Sequence, residues 1–235
     1  MITAVKYHVR RIAALLILFL VVRAGFKALL HDEPSDPPAT EQETAVPAEP
    51  RRQAAASITQ GRPVEMVVPV LGLRAGFEQA DCRVVDGKID PKSMDKACAL
   101  TGEGYPYELP GTDAGDIVVV AGHTGAGVDA VFNKLYDGKA ERHTVAEGDT
   151  LFVRTETSGD DWLKYTVTDL HDPDKGALAT NTEIWGTGPM PGRLLTISCI
   201  QPANLLADSV RNAVVGWQLA GTATDDEVEM AFEPR

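Results

Sequence analysis

Between residues 61 and 220 the chain repeats one pattern: a short run of β-branched and aliphatic residues, then a break of Gly, Asp or Pro. Val64 to Val70, Asp116 to Ala121, Thr150 to Arg154, Leu194 to Ser198 and Ala213 to Leu219 are such runs. Leu163, Tyr165 and Val167 alternate with Lys164, Thr166 and Thr168, the period of a strand with one buried face. Helical periodicity is sparse. Val128, Val131, Phe132 and Leu135 fall at i, i+3, i+4 and i+7 and predict one helix; Ala203 to Val210 is a weaker second. Strands do not alternate with helices regularly enough for a doubly wound sheet. The expectation is an all-β domain with minor helices, a closed β-barrel of about eight strands over residues 61–220. Residues 221–235 read as an acidic, frayed tail.

The first 60 residues belong to another regime. Residues 1–30 hold five basic side chains (Lys6, Arg10, Arg11, Arg23, Lys27) and no acid, whereas the whole chain carries a net charge of −12. Ile12 to Val22 is an unbroken apolar run, and with Arg23 and Lys27 snorkelling the stretch to Leu30 approaches the roughly 20 residues of a bilayer span. A cleaved secretory signal is the rival, but no small-x-small site precedes His31-Asp32-Glu33-Pro34. The preferred reading is an uncleaved, single-pass signal anchor over 1–30 with its basic flank cytoplasmic and the body outside the cell. Residues 31–60, with Pro34, Pro37, Pro38, Pro47 and Pro50 among Glu, Thr and Ala, read as a disordered stalk. The acidic body argues against nucleic-acid binding through a basic face.

Cys82 and Cys98 lie in a Gly/Asp/Lys-rich insertion between the first two of these runs, and an exported domain would oxidise them to a disulfide. Cys199 is left over, at the end of a strand. It is either a small buried hydrophobe or a nucleophile. A thiol nucleophile needs a base or cation beside it. His8 and His31 lie in the anchor and stalk, and His143 and His171 in charged, solvated segments. His123 follows a buried strand and a Gly and opens a Gly-rich loop, where catalytic groups are commonly carried. Arg193 shares a strand with Cys199 but sits about 20 Å along it. Arg211 would come back beside Cys199 if the chain returns antiparallel after residue 210.

These residues carry a resemblance. From about Arg62 to Leu219 the chain resembles a sortase, the cysteine transpeptidase of Gram-positive cell surfaces, most of all the class F and class E forms of actinobacteria. Arg62-Pro63-Val64 through Pro69 is similar to the family's first strand. Pro110-Gly111, Gly115 and Val118 to His123 are similar to its Pro-Gly…Ala-Gly-His stretch, and Phe132 and Leu135 to the Phe-x-x-Leu that follows. Glu147-Gly148-Asp149, Tyr165-Thr166-Val167, Leu195 to Cys199, Pro202, and Arg211 with Val214-Val215 continue the match in order. Ser198 stands where the family has Thr, Leu195 and Thr196 depart from its Thr-Leu, and the Cys82/Cys98 insertion is not part of its pattern.

The resemblance implies a membrane-anchored, extracellular enzyme with His123, Cys199 and Arg211 as its catalytic residues and no cofactor. It would cleave an LPxTG-like sorting signal between Thr and Gly through a thioacyl-enzyme. The acyl group would pass to an amine on a peptidoglycan precursor or a pilin. Two alternatives stand beside it: a non-catalytic cell-envelope binding or assembly module on the same fold, and an L,D-transpeptidase-type cysteine enzyme, whose His-Gly-Cys neighbourhood is not found at Ser198-Cys199. No Cys-x-x-Cys pair, His-Glu-x-x-His or Gly-rich phosphate loop occurs. Asp172-Pro173-Asp174 with Glu183 only partly echoes a calcium loop, since its Gly is at the fifth place, and reads as a solvated acidic loop.

Overall fold

The computed structural model describes residues 56–233 except 103 and 205; the expected anchor, and the stalk up to residue 55, lie outside the described residues. In chain order the strands are β1 (Pro63–Val68), β2 (Leu73–Gly76), β3 (Val84–Val85), β4 (Lys88–Ile89), β5 (Cys98–Ala99), β6 (Val118–Ala121), β7 (Tyr136–Asp137), β8 (Arg142–His143), β9 (Thr150–Thr155), β10 (Asp161–His171), β11 (Arg193–Cys199) and β12 (Asn212–Thr224). Three α-helices are described: α1 (Lys175–Leu178), α2 (Thr182–Trp185) and α3 (Asp225–Phe232).

Eight strands make one sheet in the order β2-β1-β9-β10-β12-β11-β6-β5. All neighbours are antiparallel except β11 and β6. The sheet curls until its edges touch. Phe77, just past β2, bridges Ala97, just before β5, with Glu78 N donating to Ala97 O (2.8 Å) and Ala97 N to Gly76 O (3.0 Å). The edges therefore meet at one bridge and not along a full ladder.

Packing explains the sequence pattern. Met66, Val68, Leu151, Val153, Leu163, Tyr165 and Trp217 fill the interior. Val118 and Val120 of β6 point into this core, while Val119 and Ala121 point into a second one with Leu195, Ile197, Val214 and Ile184. Burial on both faces is why β6 is a continuous apolar run instead of an alternating one. On β10 Leu163, Tyr165 and Val167 are buried and Lys164 and Thr166 are not, as their alternation implies.

Four expectations change. The segment 128–135 is a chain of turns, not a helix: Asn133 N bonds Ala130 O and Leu135 N bonds Phe132 O. The Asn133 side chain takes the Gly125 N–H and donates to Val128 O, so local polar bonds replace helical ones. Val131, Phe132 and Leu135 are buried all the same, while Val128 is exposed. Residues 203–204 and 206–210 contain no helix either. Instead, the 221–233 segment is built: β12 runs on to Thr224, which caps α3 in a reciprocal capping box with Glu227. Val228 of α3 is buried against Val67, Phe152 and Trp162. Finally, the end of the expected stalk belongs to the fold. Ile58 is buried, its N–H bonds Thr112 Oγ1 at 3.0 Å, and Ala56 N bonds Thr222 Oγ1 at 3.3 Å.

Candidate active site

The parallel pairing of β6 and β11 builds the site. Ala121 sits beside Ile197, and Gly122 N continues the ladder to Ile197 O at 3.2 Å. The next residues, His123 and Cys199, leave the two strands at the same end. Gly122 allows this: a Cβ there would lie 2.6 Å from Phe132 and Val131. The two strand ends are tied together. Thr124 Oγ1 donates to Cys199 O at 2.8 Å, and Gln201 Nε2 donates to both Thr124 O and Thr124 Oγ1 at 3.1 Å.

Cys199 is a free thiol and partly exposed, which sets aside the fully buried alternative. His123 is half-buried, and its Nε2 lies 2.6 Å from Pro91 O. A carbonyl only accepts, so Nε2 carries a hydrogen and, in the neutral ring, Nδ1 is the available base. His123 and Cys199 line one cavity of about 350 Å³, together with Pro91, Asp86 and Asp90. A second cavity of about 720 Å³ also reaches Cys199 and is walled by Tyr105, Tyr107, Leu178 and Trp185, with the Tyr107 and Trp185 rings stacked at 5.3 Å.

The chain does return antiparallel after residue 210. The residue opposite Cys199 is Asn212, and Arg211 stands opposite Ile200, with Ile200 N donating to Arg211 O at 3.0 Å. Because side chains alternate along a strand, Asn212 shares the Cys199 face and Arg211 takes the other. Asn212 lines both cavities and its amide donates to Ser198 O at 3.0 Å. Arg211 lines neither cavity. Its Nε donates to Asp172 O (3.1 Å) and its Nη2 to the Asp172 carboxylate and to Tyr136 Oη (3.4 Å). Asp172 is thus the partner of Arg211, and among the described residues no cluster of three metal-ligating side chains occurs.

Cys82 and Cys98 form a disulfide. It closes the insertion whose β3–β4 hairpin turns at Asp86 (φ 50°) and Gly87 (φ 71°). That Asp-Gly pair is the hairpin's signal in the sequence. Cys98 pairs with Ala121, so the bridge anchors the insertion two residues before His123.

His143 and His171 are half-buried and hydrogen-bonded, and neither lines the cavities at Cys199. His143 packs edge-on against Tyr136 (5.0 Å), and its Nε2 lies 3.0 Å from His171 O; burial holds its pKa below the usual histidine value. His171 Nε2 lies 2.8 Å from Asp169 Oδ2. Arg193, 5% exposed at the far end of β11, grips Asp169 with two bonds of 2.8 and 2.7 Å. Burial alone would raise the Asp169 carboxyl, but Arg193, Thr168 and His171 outweigh it and hold it at about 2.

No family model and no curated protein matches the chain. Among solved structures, it is similar to sortase A of Listeria monocytogenes, at 14% identity over 75% of this chain and 100% of that one, with a TM-score of 0.48. It is also similar to sortase C-3 of Streptococcus pneumoniae, at 13% identity over 76% of this chain and 71% of that one, TM-score 0.49. Sortase E1 of Streptomyces coelicolor with a tripeptide in its active site is similar at 16% identity over 72% and 93%, TM-score 0.46.

Proposed function

We propose that this chain is a sortase-type cysteine transpeptidase, anchored in the membrane by residues 1–30 and acting outside the cell. The observation that carries the reading is one cavity lined by both the free Cys199 thiol and the His123 imidazole, with their backbones locked by Thr124. An acyl-transfer enzyme needs this pairing of nucleophile and proton carrier. The ordered sequence motifs from Arg62 to Val215 support the same reading.

The chemistry follows from the residues. Cys199 as thiolate attacks the Thr carbonyl of an LPxTG-like peptide, and backbone N–H groups near Ser198 and Cys199 steady the oxyanion. His123 gives its proton to the departing Gly amine. The thioacyl-enzyme then passes its acyl group to an amine of a peptidoglycan precursor or pilin, and His123 takes the proton back. Arg211 is the third catalytic candidate; it is held by Asp172 and Tyr136 on the face opposite Cys199, so acting on the peptide would require its guanidinium to leave Asp172 and pass the start of β12.

The test is cleavage of peptides carrying LPETG or LAETG by the full chain, with Cys199→Ala and His123→Ala beside it. Cleavage by the parent chain, lost in both variants, is the expected result. Cleavage by Cys199→Ala would overturn the proposal. A thiol-reactive probe separates this from the binding-module alternative: Cys199 labels only if it is an accessible, reactive thiol.

A further inference from the structure

Two cavities converge on Cys199, and the disulfide-closed hairpin stands between them. Lys88 and Ile89 of β4 line both. On one side lies the larger cavity, with Tyr105, Tyr107 and Trp185; on the other lies the smaller one, with His123, Asp86 and Asp90. His123 lines only the smaller one. This asymmetry has a chemical consequence that rests on the transpeptidase reading.

We propose that the Cys82–Cys98 hairpin divides the site into an acyl side and an amine side: the acyl half of the peptide occupies the aromatic cavity, and both the leaving amine and the incoming amine, a primary ammonium before it loses its proton, use the His123 cavity beside Asp86. The proton balance requires the second half of this assignment. In the first step the Cys199 sulfur bonds the carbonyl carbon, the C–N bond breaks, and the proton held by His123 goes to the departing nitrogen. In the second step the acceptor ammonium first releases one proton to solvent, its neutral nitrogen bonds the same carbon, the C–S bond breaks, the thiolate is restored, and the N–H proton displaced as the amide forms goes to His123. Each transfer needs the amine within hydrogen-bond reach of the imidazole. The amine therefore enters where His123 is, and the acyl chain takes the space on the other side of the sulfur.

The walls suit those occupants. Stacked Tyr107 and Trp185, with Leu178 and Ile117, offer an apolar surface to aliphatic peptide side chains. On the amine side the Asp90 carboxylate is held by Arg83, whereas Asp86 at the hairpin tip has no ion-pair partner among the described residues. Asp86 is exposed at the rim of an open cavity, where at low salt a carboxylate draws in ammonium groups against the Lys88 cation that lines the same cavity. The Pro91 carbonyl that fixes the His123 ring comes from the same insertion, so one element sets both the amine path and the orientation of its base.

The experiment separates the two half-reactions of the full chain, with an LPETG or LAETG peptide as donor. Thioacylation is followed by stopped quench, and aminolysis by competition between glycinamide, cationic at neutral pH, and hydroxylamine, neutral there. Asp86→Asn is the conservative variant, because Asn also accepts the left-handed turn position. It is expected to raise the glycinamide KM about 3-fold relative to hydroxylamine at low salt, with the difference vanishing at high salt. Tyr107→Ala is expected to raise the donor KM about 10-fold and to leave the ratio of aminolysis to hydrolysis as it was. If Asp86→Asn acts on the donor KM, or Tyr107→Ala on the choice between amines, the division is wrong even though the enzyme is a transpeptidase. If the parent chain forms no thioacyl adduct, the transpeptidase reading itself fails and takes the division with it.

Discussion

Thr124 donates its hydroxyl to the Cys199 carbonyl across 2.8 Å, joining the loop that carries the imidazole to the strand that carries the thiol. Strands β6 and β11 bring the two residues to one end of the sheet, and this bond and the Gln201 amide behind it tie the two strand ends together. Thr124→Val keeps the shape and removes the bond. It is expected to lower peptide cleavage by about 10-fold to 100-fold through misplacement of the base, at a stability cost of only about 1 kcal/mol. Paired turnover and thermal-melt measurements check this; undiminished turnover would mean the bond does not position the site.

Much of this arrangement is legible in the sequence, for identifiable reasons. The β6 run, the alternation of β10 and the Ala-Gly-His and Ser-Cys strand ends report burial and strand ends, which period and composition encode directly, whereas they do not encode the parallel pairing of β6 with β11. The turns at 128–135 defeat the periodicity because Asn133 satisfies Gly125 and Val128 by side chain, a competition that apolar spacing does not register. Asn212 carries no signal of its own, and only the β11–β12 register places it across from Cys199. The Asp86-Gly87 hairpin went unread in the insertion although an Asp-Gly pair is its signal, and its position between two cavities depends on the β5–β6 pairing and the disulfide.

Arg211 is held by Asp172 and Tyr136 on the strand face opposite Cys199. If it acts on substrate, Arg211→Ala lowers turnover by about 100-fold or more. The fold persists, since a partly exposed ion pair contributes about 1 kcal/mol or less. Asp172→Asn, which loosens the grip, is expected to lower the donor KM a few-fold. Steady-state kinetics with circular dichroism decide; an Arg211→Ala variant with normal kinetics removes Arg211 from the catalytic set.

The Arg193–Asp169 pair makes stability depend on acid pH. The Asp169 carboxyl is held at about 2 when folded, against 3.8 for the free side chain. The native state therefore binds this proton less tightly than the unfolded chain does. The stabilisation, about 2 kcal/mol, is present above roughly pH 4 and disappears as the pH falls toward 2. Denaturant titrations over that range test it, and Asp169→Asn should flatten this part of the profile while lowering stability at neutral pH.

The Cys82–Cys98 bridge closes a loop with few apolar anchors. Its removal in the double variant Cys82→Ser/Cys98→Ser is expected to cost about 3 kcal/mol. Reductant should lower the melting temperature of the parent chain and leave that of the double variant unchanged. A parent melt insensitive to reductant would show that the insertion holds its place without the bridge.

The most direct test of the transpeptidase account is the intact mass of the full chain mixed with peptides carrying LPETG or LAETG. The account predicts a gain equal to the acyl half of one peptide, located on Cys199, absent from Cys199→Ala and discharged by added glycinamide. A chain that stays at its own mass while a thiol-reactive probe fails to label Cys199 would contradict it and leave a curled sheet whose cysteine performs no acyl transfer.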